Sequence, residues 1–264
     1  MSAQKQNTVL TIGGLDPSGG AGILADARAI KSLGLNCAAV CAVRTVQDGV
    51  VFSSAVAQDV PLIVAEIESI FEHQKVRAVK IGALGNSKIV NAVGRLMFNY
   101  GLPLVVDPVI RSTSGGELLD DDGVTAMRDR LIPMAALVTP NLAEASVICG
   151  IPVGNVEEMT EAARIVLGLG ARAVLIKGGH LDGSRVADVF ASRESGTIVL
   201  EDDRLDVGEV RGTGCALASL IAARLACGVK MPDAVEGARE ILRGAMARSV
   251  KTGVGPGVLS FIDR

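Results

Sequence analysis

Aromatic residues, basic charge and long apolar runs are all scarce in this chain. It has no tryptophan, one tyrosine and five phenylalanines, so it lacks the aromatic platforms on which nucleic-acid bases stack. Its 26 lysines and arginines face 29 acidic residues, a net charge of −3, without the basic excess of a nucleic-acid binder. No apolar run reaches the roughly 18–20 residues that cross a membrane. We therefore expect neither nucleic acid nor membrane as a partner.

The five cysteines do not form a complete set of pairs. They stand at positions 37, 41, 149, 215 and 227, behind a polar N-terminal segment without a secretory signal. An odd number of cysteines in that context predicts free thiols and a cytoplasmic protein. Cys37 and Cys41 have no second pair and no histidine nearby in sequence, which favours buried core thiols over a metal site.

Apolar residues and glycine are abundant. Hydrophobic residues make up 49% of the 264 residues, which is enough for a sizeable core and excludes a disordered chain. The 31 glycines indicate tight turns and loops in which the backbone approaches a ligand. The length suits a single α/β domain spanning residues 1–264.

Strand patterns alternate with helical patterns along the chain. The segments LVVD (104–107) and AVLIK (173–177) are apolar on both faces, as strands of a parallel sheet covered by helices must be. Helices are predicted at 21–33, from about residue 61, and at 87–100, 142–149, 157–169, 214–227 and 232–251, with antiparallel strands on either side of Ser195-Gly196.

Polar motifs follow the predicted strands. They are Gly13–Gly22, Gln47, Lys80–Gly82, Asp107–Gly116, Thr139–Glu144 and Lys177–His180. Open α/β sheets bind their ligands at the carboxyl ends of the strands, so we expect the active site there.

A glycine turn leads directly into an apolar helix near residue 212. Gly212 and Gly214 flank Thr213, and the N–H groups of the helix N-terminus can hold an anion such as phosphate. Cys215 falls in the first helical turn, where the thiolate is favoured. A tight turn before a buried helix, with Cys215 as a small core residue, explains these residues equally well.

Two carboxylates and a lysine also follow strands. Asn141 and Glu144 have the spacing of a capping box, but Glu144 could instead hold Mg²⁺ through water, together with Asp107. Lys177 precedes two glycines and can meet a phosphate as a point charge, or extend its ammonium to solvent from a turn.

The glycine-rich segment 13–22 matches neither a dinucleotide-binding fingerprint nor a Walker motif, because it lacks their glycine spacing and any Gly-Lys-Ser/Thr. Asp26, on the helix that follows, should face the same cleft as Asp107. The alternative is that its charge stabilises the start of that helix.

Taken together, these segments resemble the hydroxymethylpyrimidine and phosphomethylpyrimidine kinases of thiamin biosynthesis, members of the ribokinase-like superfamily. The resemblance runs almost end to end and rests on TIGGLDPSGGAGILAD (11–26), TVQD (45–48), VKIGAL (79–84), VVDPV (105–109), LVTPNLAEA (137–145), LIKGGHL (175–181), RGTGCALASLIAA (211–223) and GVGPG (253–257).

This resemblance implies a ribokinase-like three-layer αβα sandwich with a mostly parallel central sheet. It implies ATP-dependent phosphorylation of hydroxymethylpyrimidine, its monophosphate or both, with Mg²⁺ as cofactor and a homodimer as the assembly. Vitamin B6 kinases of the superfamily share parts of the pattern. A pyridoxal or pyridoxine kinase and a catalytically silent ligand-binding relative therefore stay open as alternatives.

The resemblance also implies roles for individual residues. The anion hole and catalytic cysteine would be Gly212, Thr213, Gly214 and Cys215. The substrate pocket would comprise Gln47, which meets the aminopyrimidine edge, with Gly14, Ala21, Asp26, Ala83 and Val109. ATP and its metal would be met by Lys177, Asn141, Glu144 and Asp107, the last two beside Mg²⁺.

The chain departs from the family pattern at the rim of this pocket. Ala83 replaces the usual methionine, and Arg211 replaces the usual histidine before the GTGC segment. Arg44, Arg111 and Arg211 are predicted to make the rim positive, which would favour a phosphorylated substrate.

Overall fold

The computed structural model describes residues 6–112, 115–179, 181 and 183–262. Its strands are β1 (Thr8–Leu15), β2 (Asn36–Gln47), β3 (Phe52–Ala57), β4 (Val76–Ile81), β5 (Leu104–Val106), β6 (Leu137–Val138), β7 (Ala173–Ile176), β8 (Arg185–Ser192), β9 (Gly196–Asp203), β10 (Val210–Arg211) and β11 (Gly257–Val258). Its α-helices are α1 (Gly22–Ser32), α2 (Val60–His73), α3 (Ser87–Tyr100), α4 (Asp121–Arg130), α5 (Leu142–Cys149), α6 (Val156–Gly168), α7 (Thr213–Ala226) and α8 (Met231–Ala247).

Nine strands form one sheet in the order β3-β2-β1-β4-β5-β6-β7-β8-β9. The pairings from β2 to β7 are parallel, whereas β3 at one edge and β8 and β9 at the other pair antiparallel. The short strands β10 and β11 form a separate parallel pair.

Helices cover both faces of the sheet. Helices α2 to α6 bury one apolar cluster against it, and α1, α7 and α8 bury a second on the other face. Successive residues of β1 point to opposite faces, so Leu10 and Ile12 join the first cluster and Val9 joins the second. This arrangement confirms the predicted three-layer αβα sandwich with a mostly parallel sheet.

Most elements lie where the sequence predicts them, with two differences. The charged segment DDGVTAMRDR forms α4, which the sequence analysis missed because only Gly123, Ala126 and Met127 of its residues are buried. The strand predicted around residues 136–141 is shorter, since the chain leaves β6 after Val138 and turns into α5. In the part of the chain that the structure describes, no helix is long and apolar enough to span a bilayer.

Candidate active site

The carboxyl ends of β5, β6 and β7 meet the N-terminus of α7, as the polar motifs predict. Lys177, directly after β7, donates from Nζ to Oδ1 of Asp107, directly after β5, over 2.8 Å. Thr139 donates to the same oxygen over 3.2 Å, and the Cys215 thiol lies near enough to the Asp107 carboxyl to help lower its pKa. The fold thus brings together residues that are up to 108 positions apart.

The turn before α7 closes tightly on the glycine-rich loop. Gly212 has φ +74°, and a Cβ at this position would lie 2.2 Å from the carbonyl oxygen of Gly20. A Cβ at Gly214 would lie 2.9 Å from Nζ of Lys177, so the lysine ammonium rests against the backbone of the turn. The unpaired N–H groups of the first helical turn, which include Thr213 and Cys215, complete a cationic cradle that can hold a phosphate.

Lys177 and Asp107 are both charged. Burial alone would lower the pKa of Lys177, but the carboxylates of Asp107 and Glu144 outweigh it and raise that pKa above its ordinary value. Burial alone would raise the pKa of the Asp107 carboxyl. The ammonium groups of Lys177 and Lys80 outweigh burial and hold this pKa below its ordinary value. The site therefore holds a charged ammonium beside the turn, paired with the Asp107 carboxylate.

Cys215 differs from the expectation. Burial, with a further contribution from the carboxylates of Asp107 and Asp26, raises the pKa of its thiol to about 12, although Lys80 and Lys177 act in the opposite direction. The prediction that the helix N-terminus favours the thiolate is wrong, because desolvation of the charged form outweighs the helix dipole. Cys215 is a partly accessible, protonated thiol close to Asp107.

Glu144 caps its helix and also faces the site. The Asn141 side chain accepts from the Glu144 N–H over 2.9 Å, and Oε2 of Glu144 accepts from the Asn141 N–H over 2.8 Å. Burial raises the pKa of the Glu144 carboxyl to about 7, although Lys177 and the N–H groups of Asn141 and Ile110 act in the opposite direction. The capping box is therefore present, and the same carboxyl group remains next to the charges of Lys177 and Asp107.

The donor set suits a magnesium ion that a nucleotide brings with it. No group of three or more histidine, cysteine, aspartate or glutamate residues among the described positions could enclose a metal. Magnesium in phosphoryl-transfer sites is commonly held by one or two carboxylates, substrate phosphates and several waters. Asp107 and Glu144 match that requirement.

Asp26 does not open into the cleft as expected. It is fully buried in α1, and its carboxylate accepts from Lys80 Nζ at 3.0 and 3.1 Å, from Thr11 Oγ1 at 2.6 Å and from Ser219 Oγ at 2.9 Å. As the fifth residue of α1 it is not a helix-start charge either. Asp26 instead holds the Lys80 ammonium near Cys215. The Lys80 ammonium and the Cys215 thiol interact electrostatically.

Asp16 organises the glycine-rich loop, a role that the sequence analysis missed. It is buried, and its Oδ1 accepts from the N–H and hydroxyl of Ser18 at 2.9 and 2.7 Å. Its Oδ2 accepts from the Ala21 N–H at 3.0 Å. The signal was present in the DPSG sequence, since aspartate before proline and serine commonly bonds the backbone two residues on.

Arg211 joins three segments of the pocket. It is 6% exposed, lies 3.5 Å from Oδ2 of Asp16 and donates to Oε1 of Gln47 over 2.7 Å. Gln47 in turn donates to Thr45 over 2.8 Å, so its carboxamide orientation is set. Arg211 thus pairs with Asp16 and Arg44 is exposed, while the positive rim expected from Arg44, Arg111 and Arg211 stays a prediction.

Arg211 also lines a cavity of about 480 Å³. Ser18, residues 48–50 and parts of the segment 252–258 form its other walls. The GVGPG segment of the sequence is thereby brought next to the glycine-rich loop.

The remaining predicted pocket residues lie close to this network. A Cβ at Gly14 would be 3.5 Å from the Cβ of Ala83, and one at Gly212 would be 3.3 Å from the Cα of Ala21. Val109 is half-buried against the core. Thr113, Ser114 and His180, which belong to the predicted polar motifs, lie outside the described residues.

Comparison with known proteins identifies the family. A family model described as phosphomethylpyrimidine kinase matches residues 16–260. The chain belongs to the phosphomethylpyrimidine kinase family. It is 36% identical over 249 residues to the hydroxymethylpyrimidine/phosphomethylpyrimidine kinase of Rhizobium meliloti, covering 94% of this chain and 93% of the relative.

Two solved structures place this phosphomethylpyrimidine kinase family member among related kinases. The phosphomethylpyrimidine kinase of Clostridium difficile is 33% identical with a TM-score of 0.79, over 92% of this chain and all of that one. The pyridoxal kinase of Staphylococcus aureus, solved with AMP-PCP and pyridoxal, is 28% identical with a TM-score of 0.89, over 98% and 94%. The resemblance inferred from the sequence motifs is thereby confirmed.

The first prediction concerns the turn before α7. Gly212→Ala must shift the backbone, because its Cβ would overlap the Gly20 carbonyl, and we expect loss of phosphoryl transfer together with a lower melting temperature. Gly101→Ala is the control, since Gly101 has φ +60° with nothing within 4 Å. It should lose about 1–2 kcal/mol of stability from backbone strain and keep its activity. Equal behaviour of the two variants in ADP release and melting would contradict this role of the turn.

The second prediction concerns pH. Burial raises the pKa of Glu144 to about 7 in the folded protein, so the folded state holds a proton on this carboxyl that the unfolded chain has already lost. The stabilisation by Glu144 is therefore fully present below the unfolded pKa and is lost as the pH rises through about 7. In protein free of metal and nucleotide, the melting temperature of wild type should therefore fall relative to Glu144→Gln between about pH 5 and pH 8. Glu158→Gln, at the same third position of α6, controls for loss of charge near a helix start. A difference between wild type and Glu144→Gln that stays constant with pH would refute the raised pKa.

Proposed function

We propose that this kinase transfers the γ-phosphoryl group of ATP, bound with Mg²⁺, to hydroxymethylpyrimidine, to its monophosphate, or to both. The observation that carries the proposal is the Lys177 ammonium against the Gly212–Cys215 turn at the start of α7, in a chain of the phosphomethylpyrimidine kinase family. A buried positive charge beside unpaired N–H groups suits a transferring phosphoryl group.

The geometry favours catalysis by positioning and charge stabilisation. Phosphoryl transfer passes through a loose transition state with charge on the equatorial oxygens. The N–H groups of the α7 first turn and the Lys177 ammonium would meet that charge. When bound, Mg²⁺ neutralises phosphate charge, and Asp107 and Glu144 would hold it through water.

Cys215 is proposed to move the proton of a hydroxymethyl acceptor. Its thiol lies close to the Asp107 carboxylate, whose pKa it helps to lower. As the acceptor oxygen attacks phosphorus, its proton passes to sulfur while the thiol proton passes to Asp107. A monophosphate attacks through an oxygen that carries no proton, so that reaction would not need this transfer.

Gln47 is proposed to recognise the acceptor ring. The donation from Arg211 to Oε1 and the donation from Nε2 to Thr45 hold the carboxamide in one orientation. One N–H and one lone pair remain, which match the adjacent acceptor and donor of an aminopyrimidine edge. Gly14, Ala21 and Ala83 have small or no side chains and would leave room for the ring, with Val109 packing on it.

Pyridoxal is the second candidate acceptor. The pyridoxal kinase solved with pyridoxal superposes at a higher TM-score than the pyrimidine kinase structure does. Ala83 also offers more space beside the ring than the methionine usual in the family.

The proposed assembly is a homodimer formed at the β2–β3 edge of the sheet. Four apolar side chains stand exposed along this ribbon, namely Val46, Val50, Val51 and Val56, each more than half exposed. Strand β3 ends the sheet, and a second copy would cover this apolar surface.

The third prediction separates the two acceptor reactions. Cys215→Ala should lower kcat for hydroxymethylpyrimidine strongly and should change kcat for the monophosphate much less, because only the first acceptor must lose a proton. Steady-state ADP release with each acceptor measures this. Cys149→Ala, a thiol at the end of α5, is the matched control. Unchanged kcat on both acceptors would make Cys215 a core residue.

The fourth prediction tests the proposed function directly. Purified protein should release ADP from MgATP with hydroxymethylpyrimidine or its monophosphate at a higher kcat/KM than with pyridoxal or pyridoxine. A site that pairs its polar groups with one ring edge rejects rings that lack that edge. Efficient turnover of pyridoxal with neither pyrimidine would overturn the acceptor assignment. Absence of turnover with all four compounds would favour a silent ligand-binding relative.

A further inference from the structure

The position of Lys177 depends on a carboxylate outside the cleft. Strands β7 and β8 pair as far as Ile176 and Val189, so the next facing pair is Lys177 and Asp188. Backbone pairing stops there. In its place the side chain of Asp188 accepts from the Gly178 N–H through Oδ1, over 2.9 Å. The peptide group that follows Lys177 is therefore oriented by a side chain.

The turn after Lys177 has little freedom to move. A Cβ at Gly178 would lie 1.9 Å from the carbonyl oxygen of Ala187, so the turn packs directly on the backbone of β8. On the other side, the Lys177 N–H donates to the carbonyl of Pro140 over 2.9 Å. With both flanking backbone groups held, the Lys177 side chain extends from a set position to Asp107.

Asp188 is itself held by Arg239 of α8. Nε of Arg239 donates to Oδ2 of Asp188 over 2.9 Å, and both side chains are about 85% buried, at 13% and 15% exposed. Nη2 of Arg239 also donates to the carbonyl of Leu200 over 3.0 Å and pairs with Asp202 over 2.8 Å. The guanidinium therefore connects α8 to β8 and β9, and it holds the carboxylate that orients the turn.

We propose that Asp188 is a positioning residue of this kinase, which with Arg239 fixes the turn after Lys177 and so places the Lys177 ammonium against Gly214. This proposal rests on the proposed contact of Lys177 with the nucleotide phosphates. Asp188 lies on β8, outside the motifs that mark the cleft in the sequence, and it acts through Lys177 without touching the reacting atoms.

The test compares variants of one hydrogen bond. Asp188→Leu removes the acceptor for the Gly178 N–H, whereas Asp188→Asn keeps an oxygen that can accept it and loses only the charge. Asp202→Asn breaks the other ion pair of Arg239 and leaves Gly178 untouched. We expect Asp188→Leu to lower kcat by about 10- to 100-fold, as misplacing a catalytic group by an ångström does. Asp188→Asn should retain most of the activity, and Asp202→Asn should behave as wild type.

A double-mutant cycle with Lys177→Met distinguishes positioning from stability. If Asp188 acts through Lys177, Asp188→Leu should lower kcat no further once Lys177 is replaced, because residues that act as a unit are not additive. Equal losses in the two backgrounds, or full activity of a folded Asp188→Leu protein, would overturn the proposal. An Asp188→Leu loss that Asp202→Asn reproduces would also overturn it, since the effect would then belong to the α8 contact.

Nucleotide affinity keeps this test separate from the choice of acceptor. The Kd of MgADP, measured by calorimetry on the same variants, should weaken with Asp188→Leu and Lys177→Met and remain near wild type with Asp188→Asn. A wild-type protein that turns over no pyrimidine would refute the proposed acceptor, yet the same affinity pattern would still support Asp188. If Lys177→Met weakened the binding of MgADP and Asp188→Leu left its Kd unchanged, the result would count against the positioning role of Asp188.

Discussion

The ion pair between Lys177 and Asp107 is the interaction on which the organisation of this site depends. Its two groups follow β5 and β7, the strands on either side of β6, lie 2.8 Å apart and are largely buried. Removing charges from water costs more than a buried pair usually returns in stability. The pair is therefore better explained by function than by stability. It keeps the Lys177 ammonium beside the Gly212–Cys215 turn, where its charge can stabilise a phosphoryl group.

A second buried pair, Lys80 with Asp26, also interacts electrostatically with Cys215. The two ammonium groups favour the thiolate and the two carboxylates oppose it, and burial decides the balance in favour of the protonated thiol. In the substrate-free protein this cysteine is consequently a neutral thiol close to Asp107. Its contribution to catalysis would come from passing a proton on, which differs from the role of a preformed thiolate.

The acceptor side of the site is held by a different network. Arg211 links Asp16 of the glycine-rich loop to Gln47 at the end of β2, and Gly212 packs on Gly20 of the same loop. Arg211, which precedes the Gly212–Cys215 turn, therefore sets the orientation of Gln47 through a direct hydrogen bond. Gln47 is the residue proposed to recognise the acceptor ring.

The amino-acid sequence by itself determined the features that depend on neighbouring residues. Helices α3 and α5 have the predicted bounds because Asn86 and Asn141 cap their starts and Gly101 and Gly150 end them in the left-handed conformation. The apolar strands predicted the parallel sheet, and the motifs at their ends identified Lys177, Asp107 and the Gly212–Cys215 turn. Only the tertiary structure decided the protonation of Cys215, the burial of Asp26, the bonds of Arg211 to Asp16 and Gln47, and the support of Lys177 by Asp188. These depend on desolvation and on hydrogen bonds between residues far apart in the chain, and local spacing carries no information about either.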